Sequence, residues 1–196
     1  MSVDWDALSP QEIERMSSNI SPGGWLVDRD KPMSTLLGSC VAVCMFDPQA
    51  GLGGMNHFML PNMRRGSGAD VDSVLSGDYA MEVLLNGLIG RGAVRGRIRA
   101  KAFGAGTIIS SLAATGIGAR NAEFAQEWLS REGIPLMASD FLGPWSRKVL
   151  FVPATGVVWC RRMPTTLATA QEIAREEALY AESLQRKPPA NNVELF

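Results

Sequence analysis

A chain of 196 residues, 46% of them hydrophobic, can bury one substantial core and is short for several, so a single domain with terminal extensions is expected. Its 19 basic and 20 acidic side chains leave a formal charge of -1, which offers no field to gather nucleic acid or an anionic membrane surface, and no apolar run approaches the ~20 residues that span a bilayer. Three cysteines and one histidine, without paired C-x-x-C spacing or a basic-then-apolar leader, argue against a disulfide framework and a four-ligand zinc site; we expect free thiols, no metal and a cytoplasmic location.

In chain order, Ser9-Pro10-Gln11-Glu12 predicts a helix start, with Ser at the cap, Pro in the first turn and Glu closing a capping box, the helix running to about Ser17. Residues 18–33 read as an entry segment with a brief strand over Gly24 to Val27. The apolar run Cys40 to Phe46, the turn Asp47-Pro48-Gln49-Ala50-Gly51 and the stretch Gly53 to Leu60 predict two buried, adjacent strands. Met63 to Gly77, rich in Gly, Ser and Asp, reads as a mobile surface loop, and Asp78 to Ile89 as a helix with Asp78 at its N-terminal end. Arg97 to Phe103 alternates as a half-exposed strand does, and Gly104-Ala105-Gly106 breaks it in a tight turn rather than a phosphate cradle. The basic run Arg91, Arg95, Arg97, Arg99 and Lys101 lacks interleaved aromatics and reads as a solvated turn and strand face. A helix follows over Asn121 to Glu132, then strands over Ile134 to Phe141, Lys148 to Val152 and Val157 to Arg162, the last two as a hairpin. After Pro164, Thr165 or Thr166 caps a helix to about Gln185 with a discontinuous apolar stripe that includes Ile173, Leu179 and Ala181; Lys187-Pro188-Pro189 stops it before a tail read as disordered. Grouped strands and hairpins with interspersed helices indicate a layered α+β domain with a mixed or antiparallel sheet core and flanking helices.

The stretch Ser34-Thr35-Leu36-Leu37-Gly38-Ser39-Cys40 is the place where chemistry is expected, because His57, the only histidine, lies on the strand paired with the one that Cys40 begins. A thiol with a pKa near 8.5 gives little thiolate at neutral pH, and an imidazole beside it raises that fraction by taking the proton. The Gly38-Ser39 turn brings backbone N–H groups close to Cys40 as an oxyanion site, and Ser34 or Thr35 is available to orient the imidazole. A lone Cys and a lone His on apolar strands are more often core residues, so spacing alone does not establish catalysis; Cys44 and Cys160 read as core.

Thr35-Leu36-Leu37-Gly38-Ser39-Cys40-Val41-Ala42-Val43 and Gly54-Met55-Asn56-His57-Phe58-Met59-Leu60-Pro61, followed by Ala100-Lys101-Ala102-Phe103-Gly104, Ile117-Gly118-Ala119-Arg120-Asn121 and Gly133-Ile134-Pro135, resemble CheD, the chemoreceptor glutamine deamidase family. The resemblance covers roughly Trp25 to Arg162 and departs from the family where Asp140-Phe141-Leu142-Gly143-Pro144 lacks an expected Gly pair. It implies an N-terminal extension over residues 1–22, a deamidase domain over 23–164 similar to the catalytic domain of cytotoxic necrotizing factor toxins, and a C-terminal helix and tail over 165–196. It also implies Cys40 as nucleophile, His57 as general base and Thr35, in preference to Ser34, as the third catalytic group, with no cofactor. The implied substrates are glutamines on the cytoplasmic helices of methyl-accepting chemotaxis receptors, with a CheC-type phosphatase as a further partner. The competing reading is a non-catalytic adaptor that binds receptor or phosphatase through the same pocket.

Overall fold

The computed structural model describes residues 3–60, 69–108 and 116–186, and of residues 69–75 the backbone alone. Seven strand residues that are buried on both faces need cover on both sides, and that requirement organises the molecule. β4 (Val41–Asp47) is such a strand, and so is its antiparallel partner β5 (Leu52–Phe58). They form the centre of a five-stranded sheet completed by β2 (Trp25–Asp28) beyond β5, and by β6 (Arg99–Gly104) and β7 (Leu136–Phe141) beyond β4. The helices α2 (Ala69–Gly90) and α3 (Ile117–Arg131) cover one face. A second sheet covers the other, built from β1 (Ser18–Asn19), β3 (Met33–Leu37), β8 (Trp145–Val152) and β9 (Val157–Pro164).

Strand alternation in β8 divides the apolar residues between two cores. Val149 and Phe151 join the main core between the sheets, whereas Leu150 and Val152 pack on the outer side with Trp5 and Ile13. Ile13 belongs to α1 (Pro10–Met16), whose predicted capping box is present: Glu12 N donates to Ser9 Oγ (3.4 Å) and Ser9 N to the Glu12 carboxylate (2.8 Å). The N-terminal segment also adds a parallel strand, β1, to the edge of β3, a pairing the sequence reading did not anticipate.

The hairpin of β4 and β5 and that of β8 and β9 lie where expected, and the layered α+β class holds. Ser34-Thr35-Leu36-Leu37, given no element by the sequence, is strand, because it pairs antiparallel with residues 147–150. Three readings need correction. Helix α2 begins at Ala69, so the reading of residues 69–77 as surface loop is wrong; Asp78 stands inside the helix and pairs with Arg131 of α3 (2.8 Å) rather than serving the dipole. Arg97 is only partly on a solvated face: its guanidinium closes on the fully buried Asp47 carboxylate (2.8 Å), which also accepts from Val94 N, Gln49 N and Ala50 N. Cys160 is half-buried rather than core. Residues 63–68, the rest of the expected loop, and the tail 187–196 lie outside the described residues.

The C-terminal helix α4 (Leu167–Arg186) begins as expected, Thr166 Oγ1 accepting from Thr169 N (3.2 Å). Its buried face differs from the predicted stripe. Leu167 and Leu179 are exposed, while Ile173 and Glu177 are buried and Tyr180 and Ala181 pack partly against the core.

Candidate active site

The chain leaves the four-stranded sheet at Leu37 and enters the five-stranded sheet at Val41, so Gly38-Ser39-Cys40 is the crossover between them. Three consecutive carbonyls of this crossover are held from one side. Gly38 O accepts from Gly106 N (2.7 Å), Ser39 O from Asn121 Nδ2 (2.8 Å) and Cys40 O from Ala105 N (2.8 Å). With its carbonyls committed there, the turn presents the N–H groups of Ser39 and Cys40 to the other side. Gly104 permits this clasp: at φ +121° it brings the backbone so close that a Cβ would lie 2.1 Å from Cys40 O. Asn121, fully buried, extends the brace by accepting from Leu60 N (2.8 Å).

Sheet register sets Cys40 and His57 on one face. His57 pairs with Ala42, and Cys40 precedes Ala42 by two positions, which sets the two diagonally across neighbouring strands on one face. Both are buried. Thr35 joins them from the other sheet, its Oγ1 2.8 Å from His57 Nδ1. Ser34 does not: alternate strand residues face opposite ways, and its Oγ meets Ser17 Oγ (2.8 Å).

These contacts fix the imidazole tautomer. Thr35 Oγ1 donates to the carbonyl of Ile20 (2.6 Å), which can only accept, so the hydroxyl proton is spent there. The oxygen must therefore accept from His57, and Nδ1 carries the proton, shared with Ile20 O at 3.2 Å. Nε2 is left with its lone pair and no hydrogen-bond partner, buried. Burial holds the imidazole pKa down to about 4, only partly opposed by the Ile20 carbonyl. Burial, and then the carboxylates of Glu177 and Glu176, push the Cys40 thiol well up. The pair therefore rests as neutral thiol and neutral imidazole, and a thiolate forms only by transfer to Nε2.

Glu177, which the sequence reading did not single out, is seated in this site. Its Oε1 accepts from Ser39 N (2.8 Å) and Cys40 N (3.2 Å), and its Oε2 from Ser39 Oγ (2.6 Å). A cavity of about 210 Å³ opens beside Thr35 and His57, walled by Ile20, Lys148, Glu172 and Glu176. Nothing local marked Glu177, since a Glu pair on a charged helix is ordinarily solvated. Ile20 was equally hidden because it acts through its carbonyl. Asn121 lies within a longer matching element and carries no separate signal of its own.

A buried crossover cysteine flanked by two N–H groups, on the sheet face of a histidine whose Nδ1 is anchored by a threonine, sets this chain among layered α+β proteins with a cysteine and a histidine on one buried face. The chain belongs to the CheD family: residues 59–162 match the family model described as "CheD chemotactic sensory transduction". It is 62% identical over 197 aligned positions to "Probable chemoreceptor glutamine deamidase CheD 2" of Dechloromonas aromatica, covering 99% of this chain and all of that one. It is 44% identical to the protein of the same name from Burkholderia thailandensis (95% and 96% covered) and 41% identical to a CheD from Xanthomonas campestris pv. campestris (94% and 91% covered). A solved Neisseria meningitidis protein of the DUF152 family aligns at TM-score 0.36 and 10% identity, over 59% of this chain and 51% of that one, too distant to carry an argument. No helix among the described residues is long and apolar enough to cross a membrane.

Proposed function

We propose that this chain is a chemoreceptor glutamine deamidase in which Cys40 is the nucleophile, His57 the proton carrier and Thr35 the residue that orients it. The observation that carries the reading is the bare, buried Nε2 of His57 on the face it shares with Cys40. Family membership supplies the substrate class, glutamine side chains on receptor helices.

In this reading each group has one task. His57 Nε2 takes the Cys40 proton as sulfur attacks the amide carbon, and the developing oxyanion sits on the N–H groups of Ser39 and Cys40. The imidazolium returns its proton to the leaving nitrogen, so the C–N bond breaks, ammonia departs and a thioester remains. Water, deprotonated at Nε2, attacks the thioester; the C–S bond breaks and glutamate is released with Cys40 restored. Thr35 keeps Nδ1 protonated through the cycle and so keeps Nε2 the reactive nitrogen. No step draws on a cofactor. Receptor cytoplasmic helices as substrates put the protein in the cytoplasm, and a CheC-type phosphatase, the other implied partner, is proposed to compete for the same cleft.

The test is peptide mass spectrometry of a receptor cytoplasmic fragment incubated with the wild-type chain, Cys40→Ala or His57→Gln. We expect glutamine sites to gain about 1 Da with the wild type only, as NH is replaced by O. Binding without any mass change would leave the adaptor reading in its place.

A further inference from the structure

Glu177 stands where a product carboxylate would stand. One oxygen occupies the two N–H groups assigned to the oxyanion, the other accepts from Ser39 Oγ, and the residue is 2% exposed beside a fully buried Cys40. The rest of the helix face is fitted to the surface below it. A Cβ at Gly38 would lie 2.6 Å from Ile173 Cγ2 and 2.7 Å from Glu177 Oε1, and one at Gly23 would lie 2.5 Å from the Tyr180 ring. The two glycines thus form a floor that a helix can approach closely, with an aliphatic side chain four residues before the central carboxylate and an aromatic one three after it. Both neighbours lie on the helix face of residue 177. Solvent, thiol reagents and a second helix are all kept from Cys40 while this face is seated.

We propose that the groove under α4 is the docking site for the substrate helix, that Glu177 marks the subsite of the substrate glutamine side chain, and that α4 is a product-mimicking lid the receptor must displace. The proposal rests on the deamidase reading for the identity of the displacing helix. Occupancy by α4 lowers apparent receptor affinity by the fraction of chains in which the groove is open. It also defines a preference: a glutamine with an aliphatic residue at i-4 and a large ring at i+3 reproduces what α4 places there.

Two full-length variants test this. Glu177→Lys sets a cation against N–H donors and should unseat the helix; we expect Cys40 to be alkylated by iodoacetamide at least about tenfold faster than in the wild type, read by peptide mapping, and receptor deamidation to rise with it. Equal Cys40 alkylation in the two chains would overturn the lid. Faster alkylation with no receptor deamidation by either chain would keep the lid and remove the deamidase reading. Glu177→Gln supplies a substrate side chain in place: the chain itself should gain about 1 Da at position 177, and the Cys40→Ala, Glu177→Gln double variant should not. Retention of the glutamine by a protein that does deamidate receptor would overturn the assignment of Glu177 to the substrate subsite.

Discussion

Thr35 accepts the Nδ1 proton of His57, and it does so because its own proton is spent on the Ile20 carbonyl. Thr35→Val keeps the shape and removes the hydroxyl, leaving the Ile20 carbonyl at 3.2 Å as the one remaining anchor at Nδ1 and loosening the orientation of the ring. We expect kcat to fall about 100-fold, in the range of a lost general-base function, while receptor binding is unchanged; Thr35→Ser, which keeps the hydroxyl, should recover most of the rate. Equal activity of the Val and Ser variants would remove Thr35 from the mechanism. Leu142 is informative in a different way. It adopts φ +65° immediately before Gly143 at φ +81°, so the Gly pair expected at this bend is missing in sequence while its left-handed backbone is present. Its carbonyl is held by the Arg147 guanidinium, which stabilises the bend against the steric cost of a β-carbon there.

Among the elements, β7, β8 and β9 are clasped by charge where the two sheets meet. Asp140 of β7 receives Arg147 of β8 (3.1 Å) and Arg162 of β9 (2.6 Å), and Arg147 is fully buried. The Arg162 hydrogen bond and then Arg147 pull the Asp140 pKa down to about 2 against the effect of burial. Asp140→Asn would leave a buried guanidinium without its counter-charge, and we expect a loss of about 3–5 kcal/mol in urea unfolding. Arg162→Gln, which removes an exposed partner, should cost under about 1 kcal/mol. Comparable costs for the two would show that the clasp is not organised around Arg147. Helix α4 belongs to this scale too, since its charged sequence reads as solvated although one of its acids is enclosed. Its place depends on a surface built by Gly23, Gly38 and the crossover turn rather than on its own periodicity.

For the whole molecule, the site couples to folding through His57. Its pKa is about 4 in the fold against an ordinary 6.5, so the unfolded chain binds more protons in between. The corresponding stability is fully present above pH 6.5 and is lost as pH falls through 4. Comparing wild type with His57→Gln by urea denaturation at pH 7.5 and pH 4.5 should show the wild type losing roughly 2.5 kcal/mol more than the variant. An equal loss would mean that His57 is solvated in the folded protein. Asp140 acts in a lower window, its contribution being present above pH 3.8 and lost as pH falls through about 2. The sequence alone determined the layered α+β class, the capped first helix and the paired strands at the centre that carry Cys40 and His57 on one face, because capping, alternation and a short hairpin are local and leave their residue types in order. Tertiary structure alone decided that Thr35 rather than Ser34 meets the imidazole, that Ile20 sets its tautomer, that Ala105, Gly106 and Asn121 turn the N–H groups of Ser39 and Cys40 outward, and that Glu177 fills the space they face. Each of these joins segments far apart in the chain, several through backbone atoms, and neither a distant register nor a carbonyl's direction is written in side-chain pattern.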